Sequence, residues 1–257
     1  AAPCGASDNS GCNGAIFLNT VTNATLDNVD IDGAQQQGIN LREVSGFQLL
    51  NSTVINTGGG GDTEEAGIYA LNLFFIFSIT STSVTFPTER ASVIYNTNKT
   101  LALTVTGSTF GMNQAMPLGA DGFEISSFGT SNTTLDIVNS TFIQPKTNGL
   151  QVITEGTSFT SVDVTGSTFD PGSGLAAAID LVTNASGDMD FNIVNNPMIK
   201  GKGINIVNIF AFPNSTFEGR INNNTIVHNG GSGAGVRVVS QGNGNSKVEI
   251  KSNNITA

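Results

Sequence analysis

The chain has 257 residues, and only 12% of them are charged, about half the share in an ordinary soluble domain. Gly (31), Asn (30) and Thr (29) dominate, Trp is absent and 38% of residues are hydrophobic, which excludes a helical bundle or coiled coil on one side and a disordered chain on the other. The net charge of −10 repels phosphate backbones and excludes nucleic acid as a partner.

In chain order, residues 1–15 form an N-terminal segment in which Cys4 and Cys12 are close enough for a local disulfide, as in an oxidising compartment. The start at Ala-Ala-Pro-Cys reads as a mature secreted chain or a cloning boundary. From residue 16 onward a motif recurs: apolar, x, apolar, x, Asn/Gly/Ser, small polar, x, apolar. The clearest copies are Leu103–Phe110, Leu135–Phe142 and Val162–Phe169. Weaker copies bring the final apolar column to Ile31, Val54, Val84, Phe110, Phe142, Phe169, Met198, Ile226 and Ile255, with a mean spacing of 28. Between them lie Gly-led alternating segments such as Gly38-Ile-Asn-Leu41, Gly122-Phe-Glu-Ile125 and Gly235-Val-Arg-Val238. Each period therefore holds at least two short strands and no helical periodicity. A repeat of this length is one rung of a solenoid, with equivalent residues about 4.8 Å apart along the axis. The longest apolar run, Leu73–Phe77, is too short to span a bilayer.

These segments resemble the repeats of right-handed parallel β-helix proteins, the pectate-lyase-like superfold, and in character they are closest to bacterial surface and autotransporter-passenger β-helices. The resemblance covers residues 16–257. It implies an all-β, single-domain, right-handed parallel β-helix of about nine rungs. It does not specify an activity, because function resides in a site and not in the coil.

One register column holds Asn28, Asn51, Ser81, Gly107, Asn139, Gly166, Asn195, Asn223 and Ser252. Asn and Gly tolerate the left-handed backbone of a sharp bend. Its asparagines (Asn28, Asn51, Asn139, Asn195 and Asn223) are expected to form a ladder of stacked amides, several facing inward. Nine Asn-x-Ser/Thr sequons occur, at Asn23, Asn51, Asn98, Asn132, Asn139, Asn184, Asn214, Asn223 and Asn254. Three of them fall in the bend column, where a glycan is expected to clash. Phe86, Phe110, Phe142 and Phe169 are assigned to the core.

Candidate chemistry is sparse. Aligning the Gly-led strands places Glu64, Glu65, Glu89 with Arg90, and Asp121 on successive rungs, an acidic patch able to supply an acid/base pair or to bind Ca²⁺. Asp27, Asp30 and Asp32 faintly echo a Ca²⁺ loop without the spacing of an EF-hand. His228 is the only histidine and anchors no triad, and the Asp-Asp pair, Gly-His-Gly and basic triplet of polygalacturonases are missing. Without Trp, and with Tyr69 and Tyr95 as the only tyrosines, the usual sugar-stacking platform is lacking. In the Leu73–Phe77 run, Phe74, Phe75 and Phe77 put bulk on both faces of a strand, a candidate interface. Thr104 and Thr106 suggest an ice-binding array, but the Thr columns are irregular.

The expected function is a non-catalytic extracellular or cell-surface protein without a cofactor, adhesin-like or a subunit of a surface assembly, with itself or a surface glycan as partner. Residues 1–199 carry −14 and residues 200–257 carry +4. With no capping helix at either end, this suggests head-to-tail stacking into a filament or truncation from a longer passenger. The alternative is a lyase or hydrolase acting on a polysaccharide through the acidic patch.

Overall fold

The computed structural model describes residues 14–59, 65–111, 121–170, 177–202, 205–230, 233–241 and 246–256. Cys4, Cys12 and Glu64, and with them the expected disulfide, lie outside the described residues. Strands recur in threes. β1 (Gly14–Asn19), β2 (Thr25–Asp27) and β3 (Asp30–Asp32) form the first coil, and β25 (Ala234–Ser240), β26 (Lys247–Lys251) and β27 (Asn254–Thr256) the last. The first strand of each coil joins sheet A, the second sheet B and the third sheet C, with nine strands in each sheet among the described residues. Neighbouring coils pair in parallel throughout. The molecule is thus an all-β, right-handed parallel β-helix with a repeat of about 29 residues. Seven coils lie between two neighbours, and the first and last described coils have one each. No helix among the described residues is long and apolar enough to cross a membrane.

Alternation produces the core. Phe159–Thr165 of sheet B buries every second residue, so Phe47, Phe77, Leu103, Leu135, Val162 and Phe191 stack in one inward column. In sheet C, Phe110, Phe142 and Phe169 lie in register and stack face to face, at 5.5 Å and 17° for the first pair and 4.6 Å and 4° for the second. Each ring fills the space above the one before it, so the column repeats at the strand spacing.

Four details depart from the sequence reading. In the apolar column the partner of Phe169 is Ile199, fully buried, and not Met198; Pro197 lengthens that corner by one residue. Phe86 is 42% exposed. It occupies a second bend, with φ 58°, where the chain leaves sheet C.

The bend column itself takes left-handed backbone at all nine positions, φ 48–61°. Its asparagine side chains, however, point outward: Asn28, Asn51, Asn139, Asn195 and Asn223 are exposed. The inward hydrogen-bond ladder runs through the residue after each bend. The Val29 N–H donates to Ser52 Oγ (3.1 Å), Thr82 N to Ser108 Oγ (3.2 Å), Ser140 N to Ser167 Oγ (3.1 Å) and Ser167 N to Asn196 Oδ1 (2.9 Å). It then continues from Asn196 N to Asn224 Oδ1 and from Asn224 N to Asn253 Oδ1. The bend turns its own side chain to solvent and the next one inward, where an oxygen takes the N–H that the corner leaves outside the strand ladder. The expected clash of glycans at Asn51, Asn139 and Asn223 fails for the same reason.

Sheet A is buried on both faces in its second to fifth coils. Asn40 (0%), Tyr69 (4%), Val93 (0%) and Glu124 (5%) share the outward column, yet they are as enclosed as the core. Ala66, Tyr69 and Val93 form a second apolar cluster there, against Leu71 and Tyr95.

Candidate functional site

Of the four acids expected in the patch, Glu65, Glu89 and Asp121 are among the described residues. They precede the sheet A strands of three consecutive coils. One carboxylate oxygen of each ties neighbouring segments together. Glu65 Oε2 accepts the Gly59 N–H (2.9 Å) and Glu89 Oε2 the Glu65 N–H (2.9 Å). Asp121 Oδ1 accepts from Thr147 Oγ1 (2.6 Å) and from both Asn148 N and Nδ2 (2.9 Å each). Glu65 is 1% and Asp121 4% exposed. Burial pushes the Asp121 carboxyl above its ordinary range, against the opposing pull of the Thr147 and Asn148 hydrogen bonds and the Arg90 charge. Arg90 pairs with Glu124 at 2.9 Å, a partner hidden in the Gly-led strand that the alignment of acids alone does not single out. This arrangement staples loops across coils through one oxygen of each described acid.

Asp27, Asp30 and Asp32 do not converge on a cation either. Asp27 accepts from Asn51 Nδ2 (3.0 Å) and Asp32 from Asn56 Nδ2 (2.8 Å). No group of three or more His, Cys, Asp or Glu among the described residues is placed to hold a metal ion. His228 is buried at the end of its sheet C strand. The outward column through Thr104 reads Gln48, Ser78, Thr104, Asp136 and Asp163, which is no hydroxyl array.

The apolar run is split. Phe77 is 1% exposed and stacks on Phe47 at 4.9 Å, so it belongs to the core and not to the expected interface. Phe74 is half-buried, with the Lys99 ammonium 5.0 Å from its ring centre. Phe75 and Ile76 are each 66% exposed. Alternation from Phe77 would send Phe75 inward beside its partner, the buried Leu101. Instead the register slips between Ser45 and Phe47, and Phe75 adopts φ 65°, a β-bulge that swings Phe75 out beside Ile76, which alternation already points outward. Opposite them, Gly46 has φ 62°, and a Cβ there would meet Asn23 Oδ1 at 2.3 Å. Between these elements lies a groove of about 530 Å³, lined by Phe75 and Ile76 on one side and by Thr22, Thr25, Ser45 and Gln48 on the other.

Neither protein-family models nor curated proteins include a match to this chain.

Proposed function

We propose that the chain is a non-catalytic, adhesin-like scaffold that works outside the cell or on its surface and holds a partner against sheet B. One observation carries this reading: the carboxylates best placed for catalysis are used as staples between coils, while bulky apolar side chains stand exposed on a bulge beside a groove. An enzyme would need at least one of those acids free to meet a substrate. A head-to-tail assembly is the form of this scaffold that the opposite charges of residues 1–199 and 200–257 support.

Release of reducing ends or unsaturated products from a panel of neutral and uronic polysaccharides tests the reading. The native protein is expected to release none. The Glu89→Gln variant is expected to lose thermal stability, because the Glu65 N–H keeps a weaker, uncharged acceptor. Turnover by the native protein that disappears in Glu89→Gln would establish a lyase or hydrolase instead.

A further inference from the structure

We propose that the groove beneath Phe75 and Ile76 is a binding subsite for an uncharged saccharide; the proposal rests on the scaffold reading and names its ligand class. The volume of about 530 Å³ suits a small-molecule site, roughly 300–1,000 Å³. Its two walls differ in chemistry. Phe75 and Ile76 offer an apolar surface, and Thr22, Thr25 and Gln48 offer hydroxyls and an amide, the buried Ser45 hydroxyl donating to Thr22 Oγ1 at 3.3 Å. A pyranose ring has the matching pair of surfaces, a C–H face for the aromatic wall and a rim of hydroxyls for the polar one. A purely apolar ligand would desolvate the polar wall without returning its hydrogen bonds.

Charge narrows the class further. Among the described residues no charged side chain lines the groove, in a chain that carries −10 overall. The nearby Lys99 and Glu43 neutralise one another at 2.8 Å. A uronate would find no cation in the groove and an acidic protein around it, while a cationic ligand would find no carboxylate facing it. An uncharged ligand incurs neither cost.

The backbone supplies the independent observation. A bulky residue at φ 65° is a genuine outlier, of the kind that persists where the surrounding structure enforces it and that clusters at ligand clamps. The exposed Phe75 ring gains little burial from this position. It is held by the edge of Phe74, with centroids 5.3 Å apart at 60°, and Phe74 lies under Lys99. The aromatic wall is therefore set in place before any ligand arrives, which lowers the ordering cost of binding.

The test is isothermal titration of the purified chain with cellohexaose, xylohexaose and mannohexaose as neutral probes and hexagalacturonate as the charged one, repeated on Phe75→Gly. Glycine accepts the left-handed backbone, so the variant is expected to melt at the same temperature as the native protein or higher. It should bind the neutral probe at least tenfold more weakly, with hexagalacturonate silent throughout. Should Phe75→Gly fail to fold, Gln48→Ala on the exposed polar wall replaces it, with a loss of at least threefold expected. The proposal falls if no neutral probe binds the native chain, if Phe75→Gly binds as the native protein does, or if hexagalacturonate binds as tightly as the neutral probes. Product release from the same oligosaccharides reports separately on the scaffold reading: cleavage refutes that reading even where binding depends on Phe75, and failed binding without cleavage leaves it intact.

Discussion

Single residues in this protein carry out tasks that their chemical type does not announce. The acids show it best. Glu65, Glu89 and Asp121 have the composition of an active site and the hydrogen-bond partners of structural clamps. Asp136 and Asp163 stand side by side on the outward face of sheet B. Burial, and then the Asp163 charge, raises the Asp136 carboxyl above its ordinary value. A raised carboxyl binds its proton more tightly in the folded state than in the unfolded chain, so its stabilising contribution is present at low pH and is lost as pH rises through the folded value. Asp121 and Asp190 act in the same sense. Glu43, lowered chiefly by its hydrogen bond to Lys99, acts in the opposite sense, stabilising above its ordinary value and losing that contribution on acidification. Asp136→Asn is therefore expected to raise Tm at pH 7 by about 1–3 °C, with the gain vanishing near pH 3. A gain that persisted at pH 3 in thermal melts would show that packing, not charge, is responsible.

At the level of the strand and its corner, stability depends on the ladder of side-chain oxygens that follows each left-handed bend. Ser140 Oγ accepts the Ser108 N–H (3.3 Å) and donates to the Val138 carbonyl (3.0 Å), and the residue is 1% exposed. Ser140→Ala leaves the Ser108 N–H buried without an acceptor and is expected to cost about 1–3 kcal/mol in chemical denaturation. The outward neighbour offers a control. Asn139 is exposed at φ 49°, and Asn139→Gly, which accepts that geometry, is expected to change stability by only a few tenths of a kcal/mol, roughly the level of ordinary surface substitutions. Equal losses in the two variants would remove the distinction between bend and ladder. The same local geometry explains why Phe75 and Phe86, both at left-handed positions, are exposed while Phe77 and Phe110 are not.

Across the whole coil, each rung touches only its neighbours, so local stability follows the number of neighbours a rung has. Leu135, Val162 and Phe191 lie between coils and are buried at 1% or less, whereas β26 and β27 are largely exposed. Amide hydrogen exchange is expected to be slowest in the central sheet B strands and fastest in β1 and in β25 to β27, with a gradient between them. Uniform protection along the chain would mean that the solenoid opens as a single unit and that the nearest-neighbour picture is wrong.

The period, the bend column and most of the inward apolar columns were legible in the amino-acid order, because a stacked coil demands like volumes at like positions and the demand recurs at every turn. Phe110, Phe142 and Phe169 could be matched by eye for that reason. The groove was not legible, since it arises from one slipped register and one left-handed torsion, at Phe75, within a run that otherwise reads as plain strand. Nor was the role of the acids, whose partners lie about one coil away in contacts such as Asp121 to Asn148. Nor was the enclosure of Tyr69 and Val93 on the outer face of sheet A. A repeating pattern records what every coil has in common, whereas a site is built where one coil departs from its neighbours, and that departure is expressed only when the backbone is folded and the coils are in contact.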